Sequence, residues 1–78
     1  MNYLNKGIAG VEIEVSGPSI TTVRQMVRDN NWGNCIEVVP DGTSGVKAEL
    51  NVCPLPNCPT TWNFYEQLSS ALNNINAR

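Results

Sequence analysis

In the stretch Gly10-Val11-Glu12-Ile13-Glu14-Val15, apolar and acidic residues alternate without a break. Extended backbone sends successive side chains to opposite faces. Val11, Ile13 and Val15 therefore share one face, and Glu12 and Glu14 share the other. A strand that is dry on one side and wet on the other needs a second layer over its dry side. The pattern predicts a first strand over residues 8–15, with Ile8 joining the core and Gly10–Val15 lying centrally in the sheet.

The rest of the chain supplies that layer. Gly17-Pro18 breaks the strand, and Ser19 is placed to cap a helix. Ile20, Val23, Met26 and Val27 then fall on one stripe of an amphipathic helix that Asn30-Asn31 ends. Arg24 and Arg28 lie four residues apart on its other side. Trp32-Gly33 leads into a second strand, 34–39, where Ile36 and Val38 alternate with Cys35, Glu37 and Val39. Pro40-Asp41-Gly42-Thr43, lengthened by Ser44-Gly45, is a turn, because proline presets φ and glycine tolerates the positive region. A third strand follows, with Val46, Ala48, Leu50 and Val52 inward and Lys47, Glu49 and Asn51 outward.

Cys53-Pro54-Leu55-Pro56-Asn57-Cys58-Pro59 should be extended, its three prolines excluding both helix and ladder. Thr60 or Thr61 would then cap a second helix, with Phe64, Leu68, Ala71, Leu72 and Ile75 on its buried stripe and Trp62 and Tyr65 beside its first turn. The order is β-α-β-β-α. One three-stranded sheet with both helices packed on one face buries every apolar stripe, which is the α+β solution. The 78 residues form a single domain, residues 1–78, with a thin core.

Charge narrows the partners. Five basic residues against 7 acidic give a net charge of −2, which argues against nucleic acid, since phosphate contacts need a basic patch. Charged residues make up only 15% of the chain, against about 25% in typical domains. The polar surface is built from Asn, Ser and Thr instead, as suits a surface partly covered by another molecule. Met1–Lys6 contains no apolar signal core, and no run is long enough to cross a membrane. The expected setting is the cytoplasm, with its three cysteines reduced. Cys53-x₄-Cys58 could contribute to a zinc site only with Cys35 as third ligand, so idle thiols are the simpler reading.

The sheet face away from the helices collects Glu12, Glu14, Glu37, Glu49, Lys47 and Asn51. Two readings stay open. The acids converge on a cation, or they form a solvated face that meets a partner. Trp32 belongs either to the small core or to a contact surface, and Arg24 and Arg28 either to a wet helix face or to a docking pair for an acidic partner.

Gly10-Val11-Glu12-Ile13-Glu14-Val15, a helix, Pro40-Asp41-Gly42-Thr43, and then Gly45 leading to Ala48-Glu49-Leu50 and Pro54-Leu55 together resemble the N-terminal part of the amidoligases. These are ATP-dependent carboxylate–amine ligases grouped with glutamine synthetase and glutamate–cysteine ligase. The resemblance implies that Glu12, Glu14 and Glu49 hold Mg²⁺ bridging to ATP phosphates, with Asp41 in the family's D-G-[ST] turn. It covers roughly residues 10–56. The chain has no His, no glycine-rich phosphate loop, and only Lys6, Arg24, Arg28, Lys47 and Arg78 as cations. The expected role is accordingly non-catalytic, without cofactor: a small interaction protein that docks on a larger protein through Glu12, Glu14, Glu37, Lys47, Glu49, Asn51, Trp32, Arg24 and Arg28, as a phage-type inhibitor of host machinery would. A homo-oligomer is a further expectation. The alternative is an amidoligase-like fragment or subunit, using Mg²⁺ and ATP and completed by another chain.

Overall fold

The computed structural model describes residues 7–8, 10–42 and 45–77. The expectations that fall on Met1–Lys6, Thr43, Ser44 and Arg78 lie outside these residues, as does the side chain of Ile8. The chain runs β1 (Gly7–Ile8), β2 (Val11–Val15), α1 (Ile20–Asp29), β3 (Ile36–Pro40), β4 (Ala48–Val52), β5 (Leu55–Pro56) and α2 (Pro59–Asn74). The class is α+β, and the main elements keep the β-α-β-β-α order.

The principal sheet is antiparallel throughout, in the order β2-β4-β3. The centre is β4, and the glutamate-bearing β2 is an edge, which corrects the central place expected for Gly10–Val15. The reason is connectivity. The β3–β4 hairpin forms locally, and β2 then adds to the side of β4 that the hairpin leaves open. Composition agrees, since Ala48, Leu50 and Val52 are all buried, whereas Val11 and Ile13 are only half-buried. Pro40, which has no N–H to donate, closes the other edge strand.

Register decides which residues share a face. Leu50 lies between Ile13 and Val38, and Val52 between Val11 and Ile36. These side chains meet Val23, Met26 and Val27 of α1 and Leu68 of α2 in one core cluster, so both helices cover the same face. Helix α1 starts where expected: the Thr22 N–H donates to Ser19 Oγ at 3.2 Å. It ends at Asn30 and Asn31, and Asn31 adopts φ 59°, the left-handed conformation that asparagine tolerates well.

Two features of the proline-rich stretch differ from expectation. Leu55 and Pro56 pair with Ile8 and Gly7 in a separate two-stranded ladder. A proline fits there because a short edge ladder can spare one donor. The strand expected over 8–15 is thus two strands, β1 and β2, in different sheets. Pro59 opens α2, with Cys58 rather than Thr60 or Thr61 at the cap position. Proline suits the first helical position, since its fixed φ is already helical and the missing N–H would have had no partner there.

The reduced-cysteine expectation is also corrected. Cys35 and Cys53 form a disulfide, with Cα atoms 5.0 Å apart, and Cys58 is the free thiol. Register explains the pairing. Ile36 faces Val52, so the next pair outward along the same ladder is Cys35 and Cys53, joined by a Cys53 N–H to Cys35 carbonyl bond of 2.8 Å. Neighbouring antiparallel strands bring opposed residues to the separation a disulfide needs.

Candidate functional site

The face of the principal sheet turned away from the helices carries the acids. Across it run two lateral rows, Glu12–Asn51–Glu37 and Glu14–Glu49–Val39, each reading β2, β4, β3. Glu12, Glu14 and Glu37 are exposed, and Glu49 and Asn51, on the central strand, are half-buried. The placement follows from the two-residue period of the strands: once Ala48, Leu50 and Val52 go inward, Glu49 and Asn51 must go outward.

Crowding has an electrostatic cost that Glu49 bears. Its carboxyl is pushed above the ordinary range, first by partial burial, then by the charge of Glu12 and a hydrogen bond with it, and then by Asp41 and Glu14. Glu12 lies diagonally across the β2–β4 ladder from Glu49, within reach of a long side chain. A hydrogen bond between two carboxyls needs a proton on one of them, and Glu49 holds one more readily than an isolated glutamate. On the same face, Asn51 Oδ1 is shielded from solvent and has no hydrogen-bond partner.

Of the residues expected to act together, the structure gathers Glu12, Glu14, Glu37, Glu49 and Asn51 on this face. Lys47 is exposed and just precedes β4, where its N–H donates to the Val15 carbonyl at 2.9 Å. Arg24 and Arg28 lie elsewhere, on the exposed side of α1, where Arg28 donates to Gln25 Oε1 at 3.1 Å and Gln25 to Asp29 Oδ1 at 2.6 Å. With α1 on the opposite face of the sheet, the two arginines form no common surface with the glutamates. Trp32 also lies on the helix side, edge-to-face with Phe64 at 5.4 Å.

The metal alternative has a geometric test. Glu12, Glu14 and Glu49 share a face, yet among the described residues no group of three or more His, Cys, Asp or Glu is arranged to hold a metal ion. The spread is physical: Glu14 and Glu49 are paired across β2 and β4 while Glu12 lies one pleat repeat away, so the acids form a band along the sheet rather than a cage. No helix among the described residues is long and apolar enough to cross a membrane.

A second surface was not anticipated from sequence. A groove of about 310 Å³ lies between the α1–β3 turn, β5 and the start of α2, with Trp32, Leu55, Pro56, Cys58, Thr61 and Phe64 among its lining. It carries no Asp, Glu, Lys or Arg. The signal available was the cluster Trp32, Leu55 and Phe64, which the sequence leaves far apart and the fold brings to one groove. Compared with known proteins, the chain matches no family model, no characterised relative and no solved structure.

Proposed function

We propose that the chain is a non-catalytic interaction protein whose acidic sheet face docks on a basic surface of a larger protein. The supporting observation is a sheet face that neither helix covers, bearing Glu12, Glu14, Glu37 and Glu49, with Glu49 holding its proton more tightly through partial burial and the nearby charge of Glu12. Free carboxylates packed this closely repel one another, and cations on a partner relieve the repulsion. Binding is then stronger than the sum of isolated surface pairs. The face is built on paired strands, so it keeps its shape on docking. A small acidic module of this kind serves as an inhibitor, as phage-type proteins directed against host machinery do.

The experiment compares capture by the wild-type chain and by Glu12→Lys/Glu14→Lys, at low and high salt. A stoichiometric partner with a basic contact surface should be retained by the wild type, released as salt rises, and lost with the double substitution. Equal capture by both proteins would overturn the proposal, as would the lack of any stoichiometric partner.

A second reading rests on register, which sets Glu14 opposite Glu49 with Glu12 on the same face. In it the chain is an amidoligase-like half, completed by another chain, and Mg²⁺–ATP binding is lost in Glu12→Gln. Calorimetry with Mg²⁺–ATP that shows no heat in the presence of the completing chain removes this reading.

The cytoplasmic setting belongs to the proposal too, and the Cys35–Cys53 disulfide pulls against it, because cytosolic thiol pools keep such pairs reduced. Alkylating the chain at the moment of cell lysis separates the cases. Three reactive thiols place it in a reducing compartment, and one places it in an oxidising one.

A further inference from the structure

Given the docking proposed above, on which this rests, we infer that the partner supplies an extended basic segment that adds as a fourth strand to the free edge of β2. Connectivity leaves that edge open. β2 lies outermost in the β2-β4-β3 order, and among the described residues its backbone is paired on the β4 side alone. A strand in an antiparallel ladder turns alternate N–H and C=O groups toward each of its two sides. About half of those of β2 therefore point away from β4, with no strand to receive them. Val11–Val15 pairs one to one with β4, without a bulge, and contains no proline or glycine, so the edge is regular along its length. The other edge is less receptive: β3 closes with Pro40, which has no N–H, and carries a single glutamate, Glu37.

The pleat sets what an added strand must carry. Its outward positions fall beside Glu12 and Glu14, both exposed. The positions between them fall beside Val11 and Ile13, which are half-buried, although their β4 neighbours Val52 and Leu50 are fully covered. Lysine or arginine at two alternate positions thus meets the glutamates. A β-branched residue between them covers the apolar surface that the sheet leaves open at Ile13.

The same two glutamates decide against a second copy. Two β2 edges paired antiparallel about Ile13 would set Glu12 of each against Glu14 of the other, and like charges directly opposed are destabilising. The edge is therefore closed to its own kind and open to a basic strand. Main-chain bonds then supply affinity, and the alternating side chains supply specificity.

The test uses the full chain, isotope-labelled, and the peptide Lys-Val-Lys-Val-Lys-Val-Lys blocked at both ends. At low salt the peptide should bind and slow hydrogen exchange of the β2 amides that do not donate to β4 by at least about tenfold, leaving the β3 amides unchanged. The same peptide N-methylated at every residue keeps its charges but cannot donate to a ladder. It should bind at least about tenfold more weakly and protect nothing. Glu12→Lys/Glu14→Lys should bind neither peptide. Equal binding of the two peptides, or binding without protection of β2, overturns the added strand and leaves the acidic face standing as a docking surface. Protection of β3 in place of β2 overturns it as well, as does a parent peptide that fails to bind. The docking proposal fails on a different result, equal capture of a larger partner by wild type and Glu12→Lys/Glu14→Lys.

Discussion

The outer sheet face and the groove beside α2 have opposite chemistry. The face is formed by residues on three regular strands, and the period of β structure alone aligns its glutamates. The groove is formed by a turn, a two-residue strand and the first turns of a helix, with residues 31–35 brought against residues 55–64. One surface concentrates like charge and so selects a partner of the other sign. The other carries no charge and selects no sign. Both rest on the same core cluster, in a domain of 78 residues.

That core gives the largest expected effect. Leu50 is fully buried in the central strand, between Ile13 and Val38 and beneath the helices. Leu50→Ala removes its methyl groups and leaves a cavity, which costs about 2–5 kcal/mol. In a domain this small that is most of the stability, so docking should be lost, with urea denaturation shifting to much lower midpoint. Docking that survives unchanged would mean that the acidic face does not depend on this core.

Opening the disulfide comes next and bears unequally on the two regions. Cys35 lines the groove, and Cys53 follows directly on β4, whose outer residues make up the acidic rows. A bridge spanning 18 residues limits the unfolded chain by about 3 kcal/mol. Cys35→Ser/Cys53→Ser should therefore lower the Tm by roughly 12–24 °C, on a scale of about 4–8 °C per kcal/mol for a domain of this size. The groove should loosen more than the acidic face, because the groove wall loses its tether while the β2–β4 ladder keeps its hydrogen bonds. Thermal melts with and without reductant check the first part and amide hydrogen exchange the second.

The two helix starts give a smaller contrast. Ser19 caps α1 with its side chain, whereas Cys58 caps α2 with none. Ser19→Ala should cost about 1 kcal/mol. Cys58→Ala should leave the melting temperature nearly unchanged. A large loss in Cys58→Ala would mean that the thiol is a packing element of α2 rather than a group at the groove rim.

These contrasts track how far each feature was legible beforehand. Glu12, Glu14, Glu37, Glu49 and Asn51 could be assigned to one face from strict alternation, and Ser19 and Asn31 from cap chemistry, since both signals are local. The edge position of β2 was not legible, because alternation gives a residue's face and not a strand's neighbour. Nor was the Cys35–Cys53 bond, since the odd cysteine count pointed toward free thiols and only the β3–β4 register sets those two residues opposite each other. The groove escaped for a related reason. Pro56 argues against a ladder in isolation, and Gly7 and Ile8, some fifty residues away in sequence, are what pair with β5.

The smallest effect sharpens the acidic side of the contrast by its sign. The Glu49 carboxyl titrates above its unfolded-state value, so the native chain binds a proton more tightly than the unfolded chain does. Between the unfolded value of about 4.3 and the raised native one, the native state carries more protons, and stability must fall as pH rises. Measured from pH 4 toward neutrality, this contribution to stability should decline through that window and level off above the native value. Most acids held by cations in a folded protein give the reverse slope. Glu49→Gln should flatten the decline, raising the Tm at pH 7 relative to wild type and leaving it nearly equal at pH 4. Salt should act in the same direction at pH 7 but less, since it screens Glu12, Glu14 and Asp41 from Glu49 and leaves the burial of Glu49 unchanged. A cationic partner should do so most strongly of all and turn the slope over, because a Glu49 carboxylate facing a lysine or arginine gives up its proton more easily than the unfolded chain does. A slope that keeps its sign in the complex would mean that the partner approaches by some other surface.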